Sequence, residues 1–152
     1  MIDAHDYRTE DARRKAMVID IDMLVPKDHL LRKIEKVMDY DWLYERLKPL
    51  YNDKVGHPGT DPFVLTKMVL IRHLFGIPSL RQTWRECDVN VAYRWFLSYD
   101  LLEHIPHFAT VSYAFCNRFP PDLSVEIFDH ILNKALNNRM VDHSVVFIDS
   151  TY

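Results

Sequence analysis

The chain has 152 residues, the size of one ordinary domain, and 48% of them are hydrophobic, which is enough for a buried core. The formal net charge of −3 excludes nucleic-acid binding through overall positive charge, so any such binding requires a local basic patch. Three glycines against eight prolines, with few alternating apolar runs, favour helices over strands.

In chain order, the sequence predicts a polar tail, a helical domain and a final strand. Residues 1–23 form the tail, which becomes extended over Met17–Val25. The apolar spacing then predicts a helix that begins at Pro26 and a short helix capped by Asp41. Two glycines and a proline predict a loop over Tyr51–Gly59.

The stretch Thr60–Trp84 organises the rest of the chain. Its first residue can cap a helix, Pro62 suits the first turn, and the mostly apolar residues up to Phe75 predict a helix that is buried on nearly all sides. Gly76 can end this helix and Ser79 can cap the next one. A helix, a short turn and a second helix have the outline of a helix-turn-helix.

Further helices are predicted from Thr110 and from Asp122, the latter ending in a left-handed conformation at Asn137–Asn138. The last eight residues, VVFIDSTY, predict a buried strand, although the chain offers no convincing partner strand. The predicted fold class is therefore all-α: a helical bundle over residues 24–143 with a helix-turn-helix-like hairpin, followed by one β-strand at 144–152.

Five segments occur in an order and spacing that resemble one known family. They are LVPKDHLLRKI, GHPGTDPFVLTKMVLIRHLFGIPSLRQT, VNVAYRWFLSYDL, IPHFATVSYAFCNRF and VVFIDSTY. Together they resemble the N-terminal part of bacterial insertion-sequence transposases of the DDE class. Those enzymes have an InsH-type helical N-terminal domain ahead of a ribonuclease-H-like catalytic domain. The resemblance extends from Leu24 to Tyr152 and implies a role in DNA transposition.

The resemblance implies that Asp149 is the first of three catalytic carboxylates. In the full-length enzyme these carboxylates hold two divalent ions, Mg²⁺ or Mn²⁺. Considered without the resemblance, Asp149 is only an acidic residue at the end of a strand. The family usually has a histidine where Tyr152 stands and then a basic stretch. We therefore expect a chain cut just after its first catalytic residue, inactive by itself and without a cofactor, from a decayed, frameshifted or split gene.

Five arginines and one glutamine are candidate DNA-binding residues: Arg72, Arg81, Gln82, Arg85, Arg94 and Arg118. Arg81 and Arg85 lie one turn apart on the exposed side of the helix after Ser79, the face that a recognition helix presents to the major groove. Arginine can also bind guanine and glutamine adenine. A solvated helix face with Glu86 and Asp88 as local ion-pair partners explains the same pattern equally well.

Other conspicuous side chains have simpler explanations. Four aromatic residues are expected to pack in the core rather than stack on bases: Trp84, Tyr93, Trp95 and Phe96. His104 and His107 lack a matching pair of ligands, so we expect no zinc site. Cys87 and Cys116 have no CxxC spacing and are expected to be buried, reduced thiols.

The resemblance thus implies the DNA-binding and assembly part of a transposase, with the terminal inverted repeats of the element as its DNA partner. The alternative is a dimerisation module that forms homo-oligomers, or mixed oligomers that regulate the full-length transposase. A gene remnant without activity is a third interpretation. No secretory segment and no apolar run of about 20 residues occur, so a soluble cytoplasmic protein without a membrane partner is expected.

Overall fold

The computed structural model describes residues 16–51 and 60–140. In these two ranges the chain forms eight α-helices and no strand: α1 (Ile21–Leu24), α2 (Leu30–Val37), α3 (Tyr40–Leu47), α4 (Pro62–Leu74), α5 (Leu80–Val89), α6 (Val91–Leu97), α7 (Phe108–Tyr113) and α8 (Leu123–Asn137). A 3-10 turn at Lys48–Leu50 follows α3, and a π-helical turn at Ala114–Arg118 extends α7. The all-α class is confirmed for these ranges, whereas the predicted strand at 144–152 lies outside the described residues.

The central position of α4 agrees with the prediction. Residues Val64–Ile71 are all buried, and α5, α6 and α8 pack against this helix. Each fully buried large apolar side chain stabilises the fold by about 1.5–3 kcal/mol relative to an exposed one. The predicted cap is wrong by one residue, because Asp61 rather than Thr60 accepts the hydrogen bond from the Phe63 N–H, at 2.8 Å.

A tight turn joins α4 to α5. Gly76 has a φ of +61°, in the left-handed region that glycine adopts without strain, and it directs the chain away from α4. The Ile77 N–H donates to the Arg72 carbonyl at 2.9 Å. Ser79 then caps α5 by accepting a hydrogen bond from the Gln82 N–H at 3.2 Å. The predicted glycine stop and serine cap are both confirmed, and together they fix how α5 lies on α4.

Two predicted helix starts are wrong because a different side chain supplies the cap. α2 begins at Leu30 rather than Pro26, since the imidazole of His29 accepts a hydrogen bond from the Leu31 N–H at 3.2 Å. α3 is capped by Asp39, not by Asp41. Histidine is an unusual cap, so the sequence pattern does not indicate that α2 begins after His29.

Two other segments also differ from the prediction. The stretch Met17–Val25 was expected to be extended, but Asp20 caps the short helix α1 within it. α7 begins at Phe108 rather than Thr110, because His107 accepts a backbone hydrogen bond there. In both cases a side chain that caps the helix stabilises its first turn, although the apolar spacing there gives only a weak helical signal.

The helix α8 closes the bundle against α2 and α4. Four residues of the predicted inward face are buried, as expected: Leu123, Ile127, Ile131 and Ala135. Phe128 and Leu132, also predicted to face inward, are more than one third exposed. Asp122 makes no capping hydrogen bond, and the left-handed residue after α8 is Arg139 rather than Asn137–Asn138.

Candidate nucleic-acid interface

Three of the candidate DNA-binding residues share the outer face of α5. Thr83 and Cys87 are buried against the bundle, whereas Arg81, Gln82 and Arg85 are exposed. Residues four apart lie one above the other on a helix, so the buried pair and the two arginines each form a row along α5. The structure therefore brings these three polar side chains together on one exposed surface.

These three side chains are held in different ways. The Arg81 guanidinium lies over the ring of Phe108 at the start of α7, 4.8 Å from its centroid. The Gln82 side-chain amide donates to Glu86 Oε1 at 2.9 Å. Arg85 makes no hydrogen bond or ion pair through its side chain within the described ranges, so its donors face solvent there.

Arg72 belongs to the same region of the surface. It is half-buried in the last turn of α4, and its Nη2 donates to the Pro78 carbonyl at 3.3 Å. That bond places its guanidinium beside the residues that lead into α5. The N-terminal end of α5 itself carries the positive end of the helix dipole. Arg72, Arg81 and this helix end therefore contribute positive charge to one place.

Arg118 lies in a different part of the molecule. It is exposed at the end of the π-helical turn, with its guanidinium 4.7 Å from the centroid of the Tyr51 ring. Ten residues separate it from Phe108 along α7 and the turn, on the order of 15 Å at an ordinary helical rise. The structure does not bring Arg118 to the outer face of α5.

Arg94 is buried, which corrects the expectation that it faces DNA. Only 5% of the residue is exposed. Its Nε and Nη2 donate to the carbonyl and the Oδ1 of Asp88, both at 2.9 Å. Its Nη1 donates to the carbonyls of Asp100 at 2.6 Å and of Glu103 at 2.9 Å. The guanidinium is thus occupied by protein acceptors, and it ties the end of α5 to the loop after α6.

The four aromatic residues considered as stacking platforms pack within the protein. Tyr93 and Phe96 are buried. Trp95 is half-buried and its indole N–H donates a 2.7 Å hydrogen bond to α1. Trp84 is half-buried, with its ring meeting that of His107 edge to face at 4.8 Å. Their observed packing agrees with the predicted core role.

The two free thiols have different environments. Cys87 is buried, and its burial raises the pKa of the thiol to about 12, so it is not a reactive nucleophile. Cys116 is exposed, which corrects the expectation that both are buried. The expectation rests on the general preference of free cysteines for the interior, which does not hold for this residue of the π-helical turn.

An ion pair inside the bundle was not predicted. Lys67 is 4% exposed, and its Nζ donates to Glu35 Oε2 at 3.1 Å and to the Phe96 carbonyl at 2.7 Å. Glu35 also accepts a hydrogen bond from the Tyr40 hydroxyl. Burial lowers the pKa of Lys67, while Glu35 opposes that shift; burial and Glu35 both raise the pKa of Tyr40. The sequence signal was a single charged residue within the apolar stretch of α4.

An apolar groove lies between α4 and α8. Its volume is about 350 Å³, and it is lined by His73, Ser124, Val125 and Phe128. Beneath it the Thr66 hydroxyl is buried without a hydrogen-bond partner among the described residues. Val125 is 60% exposed at the rim. The groove is therefore a second candidate surface, and it is apolar, whereas the outer face of α5 is polar.

The predicted metal ligand, Asp149, lies outside the described residues. Within residues 16–51 and 60–140, no three histidine, cysteine or acidic side chains are grouped so that they could hold a metal ion. His104 and His107 are both exposed on the loop before α7. The outer face of α5 is therefore the candidate site that the structure describes in full.

A comparison with protein families matches residues 19–117 to the model of a transposase domain (DUF772). The chain belongs to this transposase-domain family. The matched range includes α1 to α7 and thus the whole outer face of α5. No match was found among curated proteins or among solved structures. Among the helices of the transposase domain that the structure describes, none has the length and apolar character needed to cross a bilayer.

Proposed function

We propose that this transposase domain is the DNA-binding part of a DDE insertion-sequence transposase and that it recognises the terminal inverted repeats of the element. The observation that carries the proposal is the outer face of α5. Arg81 and Arg85 are exposed there one turn apart, and Arg85 makes no contact with a described partner that would occupy its donors. Family membership supports a role in transposition, and the exposed arginines support contact with DNA.

The hairpin of α4 and α5 is suited to a helix-turn-helix arrangement. In such motifs residues near the N-terminus of the second helix contact base edges in the major groove. Here α4 is fixed in the core, and Arg81 and Gln82 lie in the first turn of α5. We assign phosphate contacts to Arg72 and Arg81, and base or phosphate contacts to Arg85.

The role of Asp149 is part of the same proposal. It would be the first of three carboxylates that hold Mg²⁺ or Mn²⁺ in a DDE active site. In a DDE enzyme the two metal ions activate the attacking oxygen and stabilise the leaving oxygen. In a transposase that carries all three carboxylates, Asp149→Ala should abolish metal-dependent strand cleavage. Cleavage that persists in that variant would contradict the assigned role of Asp149.

The decisive experiment selects bound duplexes from a random DNA pool and then measures their affinity by fluorescence anisotropy. We expect one enriched sequence family, bound with an affinity that falls steeply as salt increases. The double variant Arg81→Ala, Arg85→Ala should weaken binding at least tenfold and reduce the salt slope by about two, one for each lost phosphate contact.

The matched control is Lys33→Ala with Lys36→Ala. These two exposed lysines lie one turn apart on α2, so the control removes the same charge from a different helix. If both double variants weaken binding equally, the effect is general electrostatics rather than a site on α5. No enrichment and no binding by the wild type would refute the proposed function.

The apolar groove supports a second candidate function, assembly with another copy of the domain. Val125 and Phe128 leave apolar surface exposed beside it, and such surfaces are typical of protein contacts. Light scattering should then show a concentration-dependent dimer that Val125→Asp abolishes. Val18→Asp, at a fully exposed position, is the control that should retain the dimer. If the domain is a monomer at all concentrations, assembly is excluded as its function, whereas the proposal of DNA binding is unaffected.

A further inference from the structure

Arg81 is held by an aromatic ring rather than by an acceptor. Its guanidinium lies 4.8 Å from the centroid of Phe108, and its N–H groups make no hydrogen bond within the described ranges. A guanidinium that stacks through its flat face keeps its in-plane donors available. Arg94 shows the opposite arrangement, because its in-plane donors are bound to Asp88, Asp100 and Glu103.

The ring of Phe108 is itself fixed. Phe108 is half-buried at the first position of α7, with its centroid 6.0 Å from Trp84 and 4.2 Å from His107. His107 caps α7 by accepting a hydrogen bond from the Ala109 N–H at 3.3 Å. The cap and the tryptophan therefore hold the phenyl ring at one place beside the start of α5.

We infer that Phe108 is a positioning residue for DNA binding, because it holds the Arg81 guanidinium at the N-terminal end of α5 with its donors free. This inference rests on the proposed function, in which Arg81 contacts a phosphate. An arginine loses side-chain freedom when it binds, and stacking on Phe108 removes part of that freedom in advance. A cation–π contact at an exposed site corresponds to an affinity change of about 2- to 5-fold.

A double-mutant cycle on the full chain tests this role. The four proteins are the wild type, Phe108→Leu, Arg81→Ala and the double variant, each measured by anisotropy against the tightest selected duplex at one salt concentration. We expect Phe108→Leu to weaken binding about 2- to 5-fold in the wild type and to have no further effect once Arg81 is alanine. Phe108→Tyr, which keeps the ring, should bind as the wild type does.

Two further measurements distinguish a positioning role of Phe108 from a purely structural role. Phe63→Leu, at another half-buried phenylalanine near the start of α4, should reduce stability without changing DNA affinity. In the free protein, the Arg81 side-chain Nε–H signal should show a ring-current shift that Phe108→Leu abolishes and Phe108→Tyr retains.

The outcomes distinguish the two proposals. If Phe108→Leu weakens binding equally with and without Arg81, Phe108 acts through the fold and the inference is wrong. The inference is also wrong if Arg81→Ala weakens binding but Phe108→Leu does not, and in that case the proposed function stands. If the wild type binds no DNA, the proposed function fails and the role of Phe108 fails with it.

Discussion

The arginines of α5 and α6 occupy opposite environments although the two helices are consecutive. Arg85 is exposed on the outer face of α5, while Arg94, nine residues later, is buried beneath the loop that follows α6. Both residues are arginines on helices, so neither the residue type nor the helical pattern explains the difference. The two guanidinium groups differ in the hydrogen-bond acceptors that surround them.

For Arg94 the surroundings are backbone carbonyls. The loop after α6 turns back at Ser98, whose φ is +64°, and Asp100 stabilises it by accepting hydrogen bonds from the Leu102 and Glu103 N–H groups, both at 2.7 Å. This conformation directs carbonyls at the guanidinium. No comparable loop in the described residues covers the outer face of α5. A charged residue is therefore structural where the chain encloses it with acceptors, and it is available for a partner where the chain does not.

The largest expected effect is the loss of stability on replacing the buried arginine. Arg94→Ala removes four hydrogen bonds and leaves acceptors without a donor, so the free energy of unfolding should fall by about 3 kcal/mol. Arg94→Lys should recover less than half of that loss, because one ammonium cannot reach acceptors that the planar guanidinium spans. Urea denaturation measures both variants. A loss below about 1 kcal/mol for Arg94→Ala would show that the loop holds without its arginine.

A smaller effect is expected for an arginine in an intermediate environment. The Nε of Arg46 donates to both carboxylate oxygens of Glu126, at 2.8 and 2.9 Å, and joins α3 to α8. Both side chains are partly exposed, so solvent screening limits the pair to about 0.5–1 kcal/mol. Arg46→Ala should lower the free energy of unfolding by that amount at pH 7.

The pH dependence of this pair follows from Glu126. The hydrogen bond from Arg46 holds the pKa of the Glu126 carboxyl below its usual range. Its contribution is therefore complete above the unfolded-state pKa of about 4.3 and is lost as the pH falls through the lower folded-state pKa. The stability difference between the wild type and Arg46→Ala should vanish in acid. A difference that persists there means that Arg46 contributes through packing rather than through charge.

The sequence could predict features that depend on neighbouring residues. The apolar run of α4, the glycine at 76 and the serine at 79 each act within one or two turns of helix, so the hairpin and the exposed face of α5 could be inferred from local pattern alone. Family membership agrees with the resemblance at the level of a transposase domain, and the matched range ends at Asn117, before the final segment VVFIDSTY.

Features that depend on distant parts of the chain were missed. Arg94 looked like any other polar position on a short helix, and its burial depends on a loop conformation that no periodicity encodes. The ion pair of Lys67 with Glu35 joins residues on separate helices. Burial of Cys116 is expected from the general preference of free cysteines for the interior, and that preference carries no information on where this residue lies in the fold. The stacking of Arg81 on Phe108 likewise required the packing of α5 against α7.

The smallest expected change in stability, and the most informative for the comparison, is that of Arg85→Ala. Arg81 and Arg85 carry like charges four residues apart on a helix, which destabilises a free helix by about 0.2–0.5 kcal/mol, and alanine is the better helix former. Arg85→Ala should therefore leave the free energy of unfolding unchanged or raise it by a few tenths of a kcal/mol, while DNA affinity falls. Paired denaturation and anisotropy measurements on one preparation test both parts. A fall in stability above about 1 kcal/mol would place Arg85 with Arg94 as a structural arginine, because exposed substitutions without a structural role rarely change stability that far.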